Sequence, residues 1–351
     1  MTNKPWLLYG CTGYSGKLIT RECHRQGLTP IVAGRSEHKV KAIAEQYGFE
    51  YRVFDLDKPE HIEQAIEGCH LIFNAAGPFT QTCEPLLKAC LKKGVHNLSL
   101  VGEIQLLEAL YGYDQQAKDA GIALAVGLGY DVIPTDCIAN VLKQELPDAT
   151  HLTIAMQGAS DMSPGSTKEM VEQLGEQPFW QRKNGDLVEG KATTKNIDVG
   201  LGETLAMTIA WGDISSAYHS TRIANIEVYA ALSRGEAWMM QTVATLKPII
   251  RIKRVQDCMN RLIDRFVDGS YYNTLEQTPV YFLGEVNNAK GDSVRATLKT
   301  ASGYKLTYLG AVHGIRYVLE NEVQPGYQTP AQLMGNRSIE QIDGSSEITL
   351  S

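Results

Sequence analysis

Three glycines and a few polar side chains carry the chemistry that this sequence offers. The stretch GCTGYSGKL sets Gly10, Gly13 and Gly16 in a G-x-x-G-x-x-G spacing, directly after the apolar run WLLY. A strand that turns sharply into a helix needs positions without side chains. Gly10 permits the tight turn, Gly13 lets a pyrophosphate approach the backbone, and Gly16 lets the helix pack on its strand. The free N–H groups and positive end of such a helix favour phosphate. Thr12 and Ser15 add hydroxyl donors, with Tyr14 between them. A triphosphate loop would need Lys and Ser/Thr directly after its last glycine, whereas Lys17 is followed here by Leu18. A dinucleotide is the expected ligand. The plain alternative is a strand–helix turn that holds nothing.

The next strand ends choose which dinucleotide. NAD sites usually place a carboxylate about 20 residues on, at the end of the second strand, to hold the ribose diol. This chain reads VAGRSEH there, so Arg35 follows Gly34 where the acid would stand, and Ser36 comes next. A guanidinium suits a 2′-phosphate through its charge and its planar donors. NADP(H) is therefore expected rather than NAD(H). Asp55 and Leu56 close the third strand, where the adenine edge would lie. Ala75, Ala76, Gly77 and Pro78, within NAAGPF, close the fourth. Small residues there let a cofactor cross the sheet edge, and Pro78 stiffens the turn.

Hydride transfer also needs a proton donor or acceptor near the receiving atom. Three residues are candidates. Tyr130 in GLGYDVIPTD could donate a proton or stack on the nicotinamide ring. Asp131 could orient substrate, and Glu103 could position a water or a polar substrate group. Each has a plainer use: Asp131 and Thr135 as turn and cap residues, Glu103 as a helix-start carboxylate. Lys168 and His219 are expected at the surface, with a place facing the cleft as the alternative. No Tyr-x-x-x-Lys pair, Ser-His-Asp arrangement or metal-ligand cluster stands out. Cys11 sits inside the glycine loop, so its oxidation could cost cofactor binding.

The elements that must position these groups alternate. Strand and helix signals succeed one another from WLLY to IALAVGLG, giving six short apolar strands. Such alternation means parallel pairing with both faces covered, in a doubly wound sheet. LLEALYGYDQQAKDAG is expected as one helix. The pattern changes after Pro134. SVRATLKT alternates like a half-exposed antiparallel strand, with VYFLGEV before it, and AMTIAW and IANIEVYAAL are further strands. A helix is expected around KEMVEQLGEQ. A dinucleotide-binding domain over 1–130 and a second α/β domain of mixed or antiparallel sheet over 131–302 are expected. The segment 303–351, opening on the helical YKLTYLGAVHGIRYVLE, is expected to pack back on the first domain. The stretch 249–266 is basic and amphipathic. It is expected as a surface or dimer-interface helix, with peripheral contact to an anionic membrane as the alternative.

Composition bounds the remainder. The 351 residues carry a net charge of −7, so the surface as a whole is not built for nucleic acid. No long apolar run precedes the first strand or is long enough to span a membrane, and a cytoplasmic protein is expected. The seven cysteines are scattered and never form C-x-x-C, which suits reduced thiols better than disulfides or zinc.

Taken in order, GCTGYSGKL, AGRS, NAAGPF, GVHNLSLVGE, VGLGYDVIPTD, SPGSTKEM and GYQTPAQLMG resemble the saccharopine dehydrogenase-like oxidoreductases, including their trans-acting enoyl reductase branch. The resemblance implies an NADP-binding Rossmann domain joined to a substrate and dimerisation domain, and hence a homodimer. It implies hydride transfer to or from an enoyl, imine or carbonyl group of a small or lipid-like substrate. The family commonly has aromatic-x-Asp-x-x-Gly-Glu at the fifth strand. Here Asn97 and Ser99 stand at the aromatic and acidic positions, while Gly102 and Glu103 are kept. A protein that binds NADPH as a redox sensor or scaffold, without chemistry, is the alternative that this departure raises. Saccharopine itself would call for converging cations, for which Arg182, Lys183, Arg222 and Arg234 are at hand.

Overall fold

The computed structural model describes residues 4–158, 179–191, 193–231, 255 and 278–351. The helix expected around 168–177, with Lys168, lies outside these residues, as do Arg234 and all of 249–266 except Val255. The chain divides into two compact units. One comprises 1–137 and 304–343, the other 138–303 and 344–351.

The first unit is organised by short strands that are buried along their length. β1 (Trp6–Tyr9), β2 (Ile31–Gly34) and β4 (Leu71–Asn74) are buried at every position. That forces cover on both faces and suits parallel pairing. With β3 (Tyr51–Val53), β5 (His96–Ser99) and β6 (Ala123–Ala125) they form a parallel sheet, joined by α1 (Tyr14–Arg25), α2 (Glu37–Tyr47), α3 (Pro59–Ile66), α4 (Phe79–Lys93), α5 (Ile104–Tyr111) and α6 (Asp114–Asp119). The single helix expected between β5 and β6 is thus two. The chain breaks at Gly112, whose N–H turns to the carbonyls of Glu108 and Ala109 at 3.3 and 3.1 Å.

A seventh strand was not foreseen. β15 (Gly326–Gln328) pairs in parallel with β6 and gives the order β15-β6-β5-β4-β1-β2-β3. The strand is too short to show alternation, and its pairing arises from the return of the chain.

The second unit takes over inside helix α7 (Ile133–Glu145), which runs across the boundary in the sequence. Its sheet is mixed. β7 (His151–Gln157) pairs in parallel with β12 (Asn225–Ala231) and antiparallel with β13 (Val280–Asn287), which pairs antiparallel with β14 (Ser293–Thr300). Ala296 and Leu298 of β14 are buried while Arg295 and Lys299 are exposed, as the alternation required. β8 (Phe179–Lys183) and β9 (Asp186–Gly190) form a hairpin, and β10 (Thr194–Ile197) pairs with β11 (Thr204–Thr208). α8 (Asp213–Thr221) precedes β12.

The chain then re-enters the first unit through α9 (Gly303–Glu320), β15 and α10 (Pro330–Met334). It leaves again, because β16 (Thr349–Leu350) pairs with β14 and carries 344–351 into the second unit.

Candidate functional site

The glycine loop is closed by contacts that tolerate no side chain. Gly10 ends β1 at φ +91°, and a Cβ there would lie 2.7 Å from the Ala76 backbone nitrogen, where β4 ends. A Cβ on Gly16 would lie 2.0 Å from the Gly10 carbonyl oxygen. Gly13 differs. Its Cβ would meet only that same oxygen, at an ordinary 3.4 Å. Gly13 is the N-cap of α1, no side chain caps that helix, and no acid occupies its first turn. The uncapped N-terminus and the open cradle above Gly13 fit a diphosphate.

The strand ends beside the loop are gathered around one hydroxyl. Tyr9 Oη donates to the Phe54 carbonyl at 3.5 Å, and the two rings lie 5.0 Å apart. Burial lifts the Tyr9 phenol to about 12, helped by Asp55 and Asp57 and opposed by Arg35. The charges of Arg35 and Asp55 therefore both act on the end of β1. Arg35 is exposed, and Ser36 is the N-cap of α2. An exposed guanidinium at the end of β2 suits the 2′-phosphate of NADP.

The turn after β4 is held by side chains that the sequence did not single out for this work. Asn74 Oδ1 accepts the Ala76 N–H at 3.0 Å, and Asn74 Nδ2 donates to Thr82 Oγ1 at 3.0 Å. Thr82 Oγ1 in turn donates to the Ala76 carbonyl at 2.7 Å. The Ala75–Pro78 turn is thereby fixed against β1, with Ala75 N–H on the Tyr9 carbonyl at 2.9 Å. Pro78 is the N-cap residue of α4.

The three proton-transfer candidates come from two neighbouring loops. Glu103 follows β5 as the N-cap residue of α5 and is half-buried, and its Oε2 accepts the Gly102 N–H at 3.2 Å. Its charge adds to the burial that lifts the Cys83 thiol to about 12. Asp131 follows β6 and is exposed. A Cβ on Gly102 would lie 3.0 Å from the Asp131 Cβ, so the missing side chain at Gly102 makes room for this carboxylate. Half-buried Tyr130 donates its backbone N–H to Thr307 Oγ1 at 3.4 Å. The same helix, α9, meets the glycine loop, because the Tyr304 and Tyr14 rings sit edge-on at 5.1 Å. Tyr304 and Thr307 are almost 300 residues from the loop, and no spacing in the sequence pointed to them.

Ser99, where the acid would stand, is buried at the end of β5. Its Oγ meets no hydrogen-bond partner among the described residues. Asp136 has a structural use. It is fully buried and accepts the Ala331 N–H at 2.8 Å, joining VGLGYDVIPTD to GYQTPAQLMG. Thr135 Oγ1 donates to the Val132 carbonyl at 3.1 Å, as a residue of the helix start.

Burial changes the reading of three further residues. Cys11, whose oxidation could cost cofactor binding, is fully buried, and burial pushes its thiol up to about 12, which disfavours the reactive thiolate. His219, expected at the surface, is buried in α8. Arg182 does not stand ready for a carboxylate. It is buried, donates to the Ile214 and Gly185 carbonyls at 3.1 and 3.2 Å, and lies over the Tyr218 ring. A groove of about 600 Å³ lined by Lys4, Glu67, His70 and Lys93 opens at the amino ends of the strands, away from the glycine loop. Among the described residues, no group of acidic, His or Cys side chains could hold a metal, and no helix is long and apolar enough to cross a membrane.

Comparison with known proteins accords with this geometry. Residues 6–124 match the saccharopine dehydrogenase NADP binding domain. A saccharopine dehydrogenase-like oxidoreductase of Bos taurus is 26% identical over 150 residues, covering 37% of this chain and 35% of the relative. A trans-acting enoyl reductase of Mycobacterium ulcerans is 30% identical over 138 residues, covering 37% and 33%. The match thus spans about a third of these curated relatives. Apo saccharopine dehydrogenase (L-Glu forming) from Saccharomyces cerevisiae aligns over 99% of both chains, with a TM-score of 0.64 and 12% identity, a likeness of fold. The motif resemblance and the NADP expectation are both borne out for the N-terminal segment.

Proposed function

We propose that this chain, built on an NADP-binding domain of the saccharopine dehydrogenase type, is an NADPH-dependent oxidoreductase acting on an enoyl, imine or carbonyl substrate. The observation that carries the reading is the placement of Glu103, Tyr130 and Asp131 on the loops after β5 and β6, in the unit that holds the glycine loop and Arg35. In open α/β sheets, ligands bind beyond the carboxyl ends of the strands.

NADPH, when bound, supplies a hydride from C4 of its nicotinamide. The chain's part is to hold and to protonate. The α1 N-terminus and the backbone above Gly13 take the diphosphate, and Arg35 with Ser36 takes the 2′-phosphate. Tyr130 Oη is the proposed proton donor to the reduced substrate. Asp131 orients the substrate, and Glu103 holds a water or polar group beside it. The substrate is proposed to be small or lipid-like, and the active form a homodimer.

The test is to incubate the protein with NADPH and a panel of 2-enoyl esters, imines and keto acids, following nicotinamide absorbance. Turnover that falls at least 100-fold in Tyr130→Phe, with NADPH affinity kept, is the expected result. Tight NADPH binding without turnover on any of them would overturn the enzymatic part. Sedimentation across a concentration series checks the dimer.

A further inference from the structure

We propose that Tyr304, in the first turn of α9, is a positioning residue for the dinucleotide: its ring braces that of Tyr14, and the pair walls the nicotinamide half of NADPH. The proposal rests on the NADP reading and adds to that site a residue from the far end of the chain.

The strand order decides which part of the cofactor lies near this helix. In the order β15-β6-β5-β4-β1-β2-β3 the direction of winding reverses between β1 and β4, and a dinucleotide lies across such a reversal with one half on either side. Arg35 follows β2, so the adenosine half with its 2′-phosphate belongs over β2 and β3. The nicotinamide half then belongs over β4, β5 and β6. α9 touches both ends of that second half. At one end the Tyr304 ring meets the Tyr14 ring edge-on, with centroids 5.1 Å apart and planes at 76°. At the other end Thr307 Oγ1 accepts the Tyr130 N–H at 3.4 Å. Tyr304 and Thr307 stand at i and i+3, on one face of the helix. That face therefore runs from the glycine loop to the loop of the proposed proton donor.

Tyr14 makes this face part of the site. It is the first residue of α1, directly after Gly13, above which the diphosphate is proposed to lie. Its side chain is 43% exposed, and among the described residues few large apolar side chains are so open. An edge-on pair leaves ring surface uncovered for a third flat group, and a nicotinamide is such a group. Without Tyr304, the Tyr14 ring would have to be ordered when the cofactor arrives, at a cost in side-chain entropy. The brace orders the ring beforehand, and affinity rises by the cost that is avoided. The contact is made by the rings, so the Tyr304 hydroxyl is not needed for it.

Two ligands divide the cofactor. NADPH carries both halves, whereas adenosine 2′,5′-bisphosphate carries the adenosine and its phosphates without the nicotinamide half. The full chain is titrated with each by calorimetry. Tyr304→Ala and Tyr14→Ala should each weaken NADPH about fivefold, the weight of one aromatic contact, and the bisphosphate by less than about twofold. The double variant should lose no more than either single variant, because the rings act as a pair. Tyr304→Phe keeps the ring and should bind NADPH as the parent does. Tyr14→Ala changes an exposed side chain, so it reads the effect even if Tyr304→Ala fails to fold. Equal weakening of both ligands, an unchanged NADPH affinity in either alanine variant, or losses that add in the double variant would each overturn the wall and leave the NADP reading standing. A parent that binds neither ligand would overturn both.

Discussion

The glycine loop makes a prediction that separates folding from binding. Gly16→Ala would put a methyl 2.0 Å from the Gly10 carbonyl oxygen, 2.8 Å from its carbon and 3.0 Å from Cys11 Cα. All three are backbone atoms of the turn, so no flexible side chain can yield, and α1 must move off β1. Overpacking of this kind costs about 3 kcal/mol. At roughly 2–4 °C per kcal/mol for a unit of this size, the melting temperature should fall by about 6–12 °C. Gly13→Ala meets the same carbonyl oxygen at only 3.4 Å, from a backbone with φ −73° that alanine adopts freely. Its folding cost is that of replacing an N-cap glycine, about 0.5–1 kcal/mol. Its methyl instead fills the space proposed for the diphosphate, and on that proposal NADPH affinity should fall tenfold or more, about 1.4 kcal/mol. Thermal unfolding of both apoproteins and fluorescence titration with NADPH read the two effects apart. Gly13→Ala binding NADPH like the parent, or Gly16→Ala melting with it, would refute the assignment of these roles.

Other consequences follow from the same geometry. Arg35→Ala should weaken NADPH by about 10–100-fold and leave NADH unchanged, since a charge-assisted bond to phosphate is worth about 1.5–3 kcal/mol; an equal loss for both cofactors would place Arg35 elsewhere. Asn74→Ala strips the clamp from the Ala76 N–H and the Thr82 hydroxyl, and should cost about 2–3 kcal/mol in a denaturant titration. Ser99→Ala removes a buried hydroxyl that meets no partner among the described residues, so the apoprotein should be unchanged or more stable by up to about 1 kcal/mol; a large loss of stability would show that the hydroxyl is paired. His96 is held down to about 4 by burial, by His70 and by Lys4, while its Nδ1 accepts the Ala123 N–H. A histidine depressed in the folded state binds its proton more readily when unfolded. Its share of stability is complete above about pH 6.5 and is lost as pH falls towards 4. After allowance for its partial exposure that share is about 1–2 kcal/mol. His96→Asn, which keeps an acceptor, should flatten the pH dependence of unfolding across that window.

Much of the first unit could be read from residue order alone. The buried runs of β1, β2 and β4 had to be interior strands, because they offer no polar face. The need for glycine at Gly10 and Gly16 was legible because local backbone geometry dictates it. Tyr130, Asp131 and Glu103 were legible only as loop residues after strands. Asn74 and Thr82 escaped notice because their worth lies in a hydrogen-bond triangle with Ala76, which composition does not encode. The break at Gly112 was missed because helical periodicity continues through it. Whether Arg182 is at hand for a substrate could not be read from the sequence, because two backbone carbonyls and the Tyr218 ring claim the guanidinium.

By itself, then, the sequence determined the alternation of strands and helices, the glycine-closed turn from β1 into α1 and the preference for NADP. Each follows from short-range rules on side-chain size, backbone freedom and charge. Tertiary structure alone decided that β15 completes the parallel sheet beside β6, and that α9 brings Tyr304 to Tyr14 and Thr307 to Tyr130. It also decided that Cys11 is fully buried and that Lys195 lies over the Tyr229 ring. These outcomes depend on which distant segments exclude water from a group. That is a property of the packed chain, and no local pattern records it.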